Sequence, residues 1–197
     1  GNGRDDRRGR AVRGILPPSM ASATAIADIL DRQGVTDVIG VPDNSSAALY
    51  SLLAGHPRIR VRTVTREGEA FAMAMGLWMG GRHPVLLIQN TGFFESGDAL
   101  RGTLTRMRIP IVCIVTYRGY NKTIKSFGQI PTALDPDLLS RSEVDNCAPI
   151  TEPTLRAWGL PYEFVHTDED LPVLEAAFQK VRERDAPRAV LVTRDTT

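Results

Sequence analysis

The hydrophobic positions of this chain follow two alternating spacings. Mostly apolar, strand-like runs lie at 37–41, 60–64, 84–88, 109–115, 162–165 and 189–193. Segments with helical spacing lie between them, at 22–33, 47–53, 68–80, 96–107, 152–158 and 168–184. Alternating strands and helices, with central strands that are apolar on both faces, indicate a parallel sheet covered by helices on both sides. The predicted fold class is α/β, a parallel-sheet three-layer α/β/α sandwich.

Two segments do not fit this alternation. Residues 1–20 carry five arginines among glycines and aspartates and end at Pro17-Pro18, which predicts a disordered basic tail, with a weak anionic contact as the alternative. Residues 21–197 then form one domain. The stretch 116–149 is rich in Gly, Pro, Asn and Ser without periodicity, so we expect a functional or mobile loop there.

Composition narrows the class of protein. A formal charge of +1 over 197 residues gives no electrostatic reason to expect nucleic-acid or membrane binding. No apolar run reaches the ~18 residues that span a bilayer and no leader is evident, so we expect a cytoplasmic protein. Cys113 and Cys147 lack the spacing of metal ligands, so we expect no metal site on this chain.

Glu67 is the strongest candidate for chemistry. It lies where the strand at 60–64 meets a helix of small residues, and the carboxyl ends of parallel strands are where open α/β sheets bind ligands. A carboxylate at this point can also simply cap the helix, which is worth about 0.3–1 kcal/mol. Glu69, two positions on, should point away into solvent. We expect the apolar side chains of this helix, Phe71, Met75 and Trp78, to form a face that another subunit covers.

Polar turns follow two further strands, at 40–44 and 89–92. In a parallel sheet all three strand ends lie on one edge, so Asp43 and Asn90 should converge with Glu67 to outline the rim of a pocket. Taken singly, each is more often a turn residue than a binding residue.

These three motifs together resemble the pyrimidine-binding (PYR) domain of thiamine-diphosphate enzymes. They are Gly-Val-Pro-Asp-Asn at 40–44, Arg-Glu-Gly-Glu-Ala at 66–70 and Gln-Asn-Thr-Gly at 89–92, and the resemblance extends over about residues 25–192. Within that family the chain is similar to sulfopyruvate and phosphonopyruvate decarboxylases.

The resemblance implies a role for each motif. Glu67 would hydrogen-bond to N1′ of the cofactor's aminopyrimidine and promote loss of the C2 proton, and thiamine diphosphate would be the cofactor. Further cofactor contacts would come from Val41, Pro42, Asn90, Thr91 and Gly92. The chain has no Gly-Asp-Gly loop, and in the family that it resembles a separate β subunit or a later domain holds the diphosphate and Mg²⁺. The expected partner is a diphosphate-binding β subunit, in a hetero-oligomer containing a dimer of PYR domains.

The resemblance also implies a small anionic 2-oxo acid substrate, of the sulfopyruvate or phosphonopyruvate kind, to be decarboxylated. Substrate contacts would come from Asp43 and Asn44, and from Arg118 and Lys122 as a clamp on the anionic tail, unless the latter two belong to a solvated basic loop. Histidine is common in this loop in related enzymes and is absent here. A carboligase or transferase of the same cofactor class and a non-catalytic PYR-like binding module remain alternatives.

Overall fold

The computed structural model describes residues 21–196, so the predicted tail at 1–20 lies outside the described residues. The strands are β1 Asp37–Gly40, β2 Arg60–Thr63, β3 Pro84–Gln89, β4 Val112–Thr116, β5 Tyr162–Val165 and β6 Arg188–Val192. The helices of this part of the chain are α1 Ala23–Arg32, α2 Ala47–Ala54, α3 Glu67–Met79, α4 Asn90–Glu95, α5 Gly97–Leu100, α6 Tyr120–Phe127, α7 Pro136–Leu139, α8 Cys147–Ala157 and α9 Leu171–Arg184.

The six strands form one parallel sheet in the order β2-β1-β3-β4-β6-β5. One core cluster packs α1, α2 and α9 against one face, through residues such as Leu30, Leu49 and Leu174. A second cluster packs α3, α4, α5 and α8 against the other face, with Phe71 and Phe93 among its largest side chains. The predicted three-layer α/β/α sandwich is confirmed.

The segment 116–149 is more ordered than its sequence indicates. It contains α6 and α7, and α8 begins at Cys147, five residues before the predicted start. Glycines in the left-handed region bound α6, with φ of 85° at Gly119 and 73° at Gly128. The prolines of α8 hide its length, because Pro149 lies in the first turn, where a missing N–H costs nothing, while Pro153 is tolerated further in.

The segment after β3 also differs from the prediction. The expected turn at 89–92 is the start of a helix, since α4 follows β3 without a loop, and the single helix predicted at 96–107 is divided into α5 and a π-helical turn, Arg101–Thr105. The expectation that Phe71 is exposed on α3 is wrong. Phe71 is fully buried and packs edge-on against Phe93, with 6.0 Å between ring centroids.

A buried ion-pair cluster holds the amino end of β1. The Asp37 carboxylate is fully buried and accepts hydrogen bonds from Arg62 Nε and Arg82 Nε, both at 2.5 Å, and from Thr36 Oγ1 at 2.8 Å. Burial works to raise the pKa of Asp37, but the bonds from Arg82 and Arg62 outweigh it and hold the pKa below its usual value. The cluster ties β1 to β2 and to the segment before β3.

We expect Asp37→Asn to lower the free energy of unfolding by about 3 kcal/mol at pH 7, because two partly buried arginines lose the buried carboxylate with which they pair. Since the folded-state pKa lies below the unfolded value of about 3.9, this stabilisation is present above about pH 4 and is lost as the pH falls towards the folded pKa. Urea unfolding at several pH values should show the gap between variant and wild type closing below pH 4. Asp98→Asn, which removes an exposed pair with Arg101, should stay within about 0.5 kcal/mol.

Candidate functional site

The carboxyl edge of the sheet has a crevice between β1 and β3. The chain leaves β1 towards α2 on one face of the sheet and leaves β3 towards α4 on the other, so the two loops diverge at this point. Crevices of this kind, where the strand order reverses, are where open parallel sheets bind ligands.

Gly40 sets the width of this crevice. A Cβ atom built on Gly40 would lie 1.9 Å from the Leu87 carbonyl oxygen and 2.6 Å from the Tyr50 hydroxyl. The hydroxyl of Tyr50 donates to the same carbonyl at 2.7 Å. Only a residue without a side chain therefore lets the ends of β1 and β3 approach this closely.

Asp43 fastens the three central strand ends together. One carboxylate oxygen accepts from Ser45 N at 2.8 Å and from Gln89 Nε2 at 3.4 Å. The other accepts from Ser46 Oγ at 2.6 Å and from Thr116 Oγ1 at 3.2 Å. Asp43 lies at the predicted edge, but its carboxylate is occupied by the chain's own donors.

Glu67 is the first residue of α3 and is half-buried beside the same crevice. A Cβ atom on Gly92 would lie 2.1 Å from both Cδ and Oε1 of Glu67, so the carboxylate rests directly on the backbone of α4. Burial raises the pKa of the Tyr50 phenol, and the carboxylates of Asp43 and Glu67 raise it further. Within residues 21–196 no hydrogen-bond donor reaches the Glu67 carboxylate.

The two neighbouring glutamates are engaged in holding α3. Glu69 is exposed, as predicted, and accepts from the backbone N–H and hydroxyl of Thr65 at 3.1 and 3.0 Å, which lowers its pKa. Glu95 accepts from Gly68 N at 3.0 Å and pairs with Arg66, and these contacts lower the pKa of Glu95. Because Glu69 and Glu95 both accept from backbone N–H groups at the amino end of α3, Glu67 is not needed to cap that end.

The side chain of Asn90 does not lie on the rim, where it was expected. It is fully buried, and its Nδ2 donates to the Arg118 carbonyl at 3.1 Å and to Thr151 Oγ1 at 2.9 Å, while its Oδ1 has no partner among the described residues. Thr91 donates to Gln89 Oε1 at 2.8 Å. The remaining motif residues at this edge are Val41, Pro42, Asn44 and Gly92. Pro42 and Asn44 are exposed, Val41 is half-buried and Gly92 is buried.

The two basic residues predicted to clamp a substrate are bound within the chain. Arg118 Nε pairs with Asp145 at 3.0 Å, and Lys122 Nζ donates to the Ser142 carbonyl at 2.9 Å. Burial works to raise the pKa of Asp145, but the bond from Arg118 outweighs it and leaves the pKa below its usual value. Both contacts fasten the segment before α8 to the start of α6.

Three contributors to the site are not evident from the sequence, namely Tyr50, Glu95 and Thr116. Their partners lie 27 to 73 positions away along the chain, and no local pattern marks such pairs.

Within the described part of the chain no group of three or more His, Cys, Asp or Glu side chains could hold a metal ion. None of the helices described at 21–196 is long and apolar enough to cross a membrane.

Comparison with known proteins gives the family to which this chain belongs. The family described as "Thiamine pyrophosphate enzyme, N-terminal TPP binding domain" matches residues 20–133, more than half of the chain. The chain belongs to this family, and the predicted resemblance to thiamine-diphosphate enzymes is confirmed.

Two relatives indicate which kind of enzyme in this family the chain resembles. Over 100 residues the chain is 39% identical to phosphonopyruvate decarboxylase of Streptomyces viridochromogenes, covering 51% of this chain and 25% of that protein. Over 111 residues it is 35% identical to sulfopyruvate decarboxylase subunit alpha of Methanococcus maripaludis, covering 56% of this chain and 65% of that protein. The chain thus matches a quarter to about two thirds of the length of these relatives.

A solved structure supports the fold. An enzyme isolated from Mycobacterium smegmatis, to which thiamin diphosphate dependence is ascribed, aligns with a TM-score of 0.60 at 17% identity. The alignment covers 90% of this chain and 32% of the other.

The residues of the crevice fit an aminopyrimidine ring. Such a ring needs a carboxyl group free to share a proton with a ring nitrogen and flat surroundings that admit it. Glu67 offers a carboxylate that accepts from no donor among residues 21–196, and the absence of a side chain at Gly92 leaves room for that carboxylate against the backbone of α4.

We expect the two close glycines to respond differently to alanine. Gly40→Ala should destabilise the fold by about 1–3 kcal/mol or more, because its new methyl group meets a backbone carbonyl that cannot move. Gly92→Ala should cost less than about 1 kcal/mol, because the obstructing atoms belong to the rotatable end of Glu67, which swings away. Urea unfolding measures both, with Gly102→Ala as the control, since nothing lies within 4 Å of that position. Equal stabilities of Gly40→Ala and Gly102→Ala would contradict the packing described for β1 and β3.

Proposed function

We propose that this chain is the pyrimidine-binding part of a thiamine-diphosphate-dependent 2-oxo acid decarboxylase. Its substrate would resemble sulfopyruvate or phosphonopyruvate, and a separate diphosphate-binding subunit would complete the active site and hold Mg²⁺. The observation that carries the proposal is the carboxylate of Glu67, which has no donor among the described residues and lies at the switch point of a sheet in this family. The decarboxylases among the relatives support the reaction class.

Glu67 would act by holding a proton between its carboxylate and N1′ of the aminopyrimidine. Glu69 and Glu95 cap the first turn of α3 and so fix the position of Glu67. The Glu67 carboxylate is therefore not required for a capping hydrogen bond. When bound, thiamine diphosphate would supply the electron sink that decarboxylation of a 2-oxo acid requires. The protein contributes orientation, exclusion of water and control of the Glu67 proton.

The backbones of Val41, Pro42, Asn90, Thr91 and Gly92 would line the ring, because these residues form the two diverging loops of the crevice. Asn44 is exposed beside them and available to a substrate, whereas Asp43 would reach one only by giving up its internal bonds. Arg118 and Lys122 would bind a sulfonate or phosphonate by exchanging Asp145 and the Ser142 carbonyl for it. Substrate entry would therefore loosen the segment before α8.

The exposed face of α3 supports the proposed partner subunit. Met73 and Trp78 are 38% exposed and Met79 is 65% exposed, while Ala72 and Gly76 beside them are small enough for close approach of another helix. A run of exposed apolar side chains on one helix is typical of an interface. The related protein of Methanococcus maripaludis is named sulfopyruvate decarboxylase subunit alpha, and that name implies at least one further subunit in that enzyme.

We expect Glu67→Gln to lower kcat of the assembled enzyme by ~10²–10⁴-fold or more, because an amide cannot share the proton that a carboxylate shares. Glu69→Gln should lower kcat by less than about tenfold, since Glu69 is exposed and an amide oxygen still accepts from Thr65. Steady-state kinetics of both variants, with thiamine diphosphate binding measured separately, distinguishes the roles. Equal losses at the two positions would refute the assignment of Glu67.

We expect the chain alone to show almost no decarboxylation and to gain it when mixed with a diphosphate-binding partner, Mg²⁺ and thiamine diphosphate. Robust turnover by the isolated chain would overturn the proposal that the active site is divided between two subunits.

Gly76→Arg should abolish association of the chain with its partner at micromolar concentration without unfolding the chain, because the space around Gly76 is open within the described structure. Gly102→Arg is the matched control. Analytical ultracentrifugation measures association, and circular dichroism measures whether the variant chain stays folded.

A further inference from the structure

A second cavity lies at the opposite, amino-terminal edge of the sheet. It has a volume of about 450 Å³ and is bordered by the segment before β4, the segment before β5, the end of α9 and the start of β6. Its charged lining consists of Arg108, Lys180, Arg184 and Arg188. Because it opens at the other ends of the strands, it is separate from the crevice that contains Glu67.

The positive charge of this cavity is only partly balanced. Lys180 Nζ and Arg188 Nη1 both bind the same oxygen of Glu163, at 2.7 and 2.6 Å. Burial works to raise the pKa of Glu163, but these two partners hold it below its usual value, so Glu163 carries a full negative charge at neutral pH. Four cations therefore face one acid.

The two remaining arginines have no acidic partner within the described residues. Arg108 Nη2 donates to the Arg184 carbonyl at 3.1 Å, which caps the end of α9, and the guanidinium of Arg184 forms no ion pair there. Like charges brought together in a concave surface raise the local potential and attract an anion.

The backbone beside the cavity is strained. Arg108 and Asp185, which adjoins Arg184, are the two non-glycine residues with positive φ in the described chain, at 56° and 46°. Such conformations cost of order 1 kcal/mol for residues with a side chain and cluster at ligand sites. Arg108 itself is one of the residues that line the cavity.

We infer that this cavity binds an organic polyanion of about the size of a nucleoside diphosphate. The excess of about three positive charges matches a diphosphate group. Pro161, Ala186 and Pro187 form an apolar wall on which a flat ring can rest. A volume of about 450 Å³ falls within the range of small-molecule sites, about 300–1,000 Å³.

Calorimetric titration of the whole chain with ADP at low salt tests the inference. We expect a Kd below about 1 mM, weakening as salt is added, and no comparable binding of adenosine. Arg184→Glu should weaken ADP binding at least tenfold, and it removes no bond within the described structure. Arg141→Glu makes the same charge change at an exposed position elsewhere and should leave the affinity within about twofold.

Backbone NMR locates the bound ADP. Shifts centred on residues 184–188 support the site, whereas shifts centred on 90–92 would place ADP in the thiamine diphosphate crevice and overturn the inference. Absence of binding at low salt, equal affinity for adenosine, or unchanged affinity in Arg184→Glu would overturn it as well. The outcome is independent of the proposed decarboxylase activity, because the crevice residues are intact in every variant.

Discussion

The contact of the Glu67 carboxylate with the backbone of Gly92 is the constraint on which the site depends. It requires α3 and α4 to lie on the same face of the sheet and their first turns to meet at the crevice between β1 and β3. Gly40 permits the strands themselves to approach, and Gly92 permits the carboxylate to remain there. Two residues without side chains thus create the space in which one acid can act.

The acids around this edge differ in what they do for the fold. Asp43 connects three strand ends, while Glu69 and Glu95 cap α3 by accepting from backbone N–H groups. Each of these carboxylates stabilises structure through charge-assisted hydrogen bonds. Glu67 contributes no such bond within residues 21–196, which is the arrangement expected of a group kept for chemistry rather than stability.

Much of the fold and the position of Glu67 could be predicted from the sequence, because both depend on local patterns. Apolar strands alternating with helices predicted the sandwich, and the strand-to-helix junction predicted Glu67 at the start of α3. The inward rotation of Asn90 could not be predicted, because it depends on α4 starting without a loop and on Thr151, 61 positions away. The pair of Arg118 with Asp145 was likewise hidden in a segment whose glycines and prolines conceal its helices.

The central claim is that Gly92 keeps the Glu67 carboxylate where it can share a proton with the cofactor ring. Hydrogen–deuterium exchange at C2 of bound thiamine diphosphate, measured by NMR in the assembled Gly92→Ala enzyme, tests it most directly. Because the methyl group displaces the carboxylate while the fold persists, the account predicts C2 exchange at least ~10²-fold slower than in the wild type, with the cofactor still bound. Exchange at the wild-type rate in a folded, cofactor-bound Gly92→Ala enzyme would contradict it.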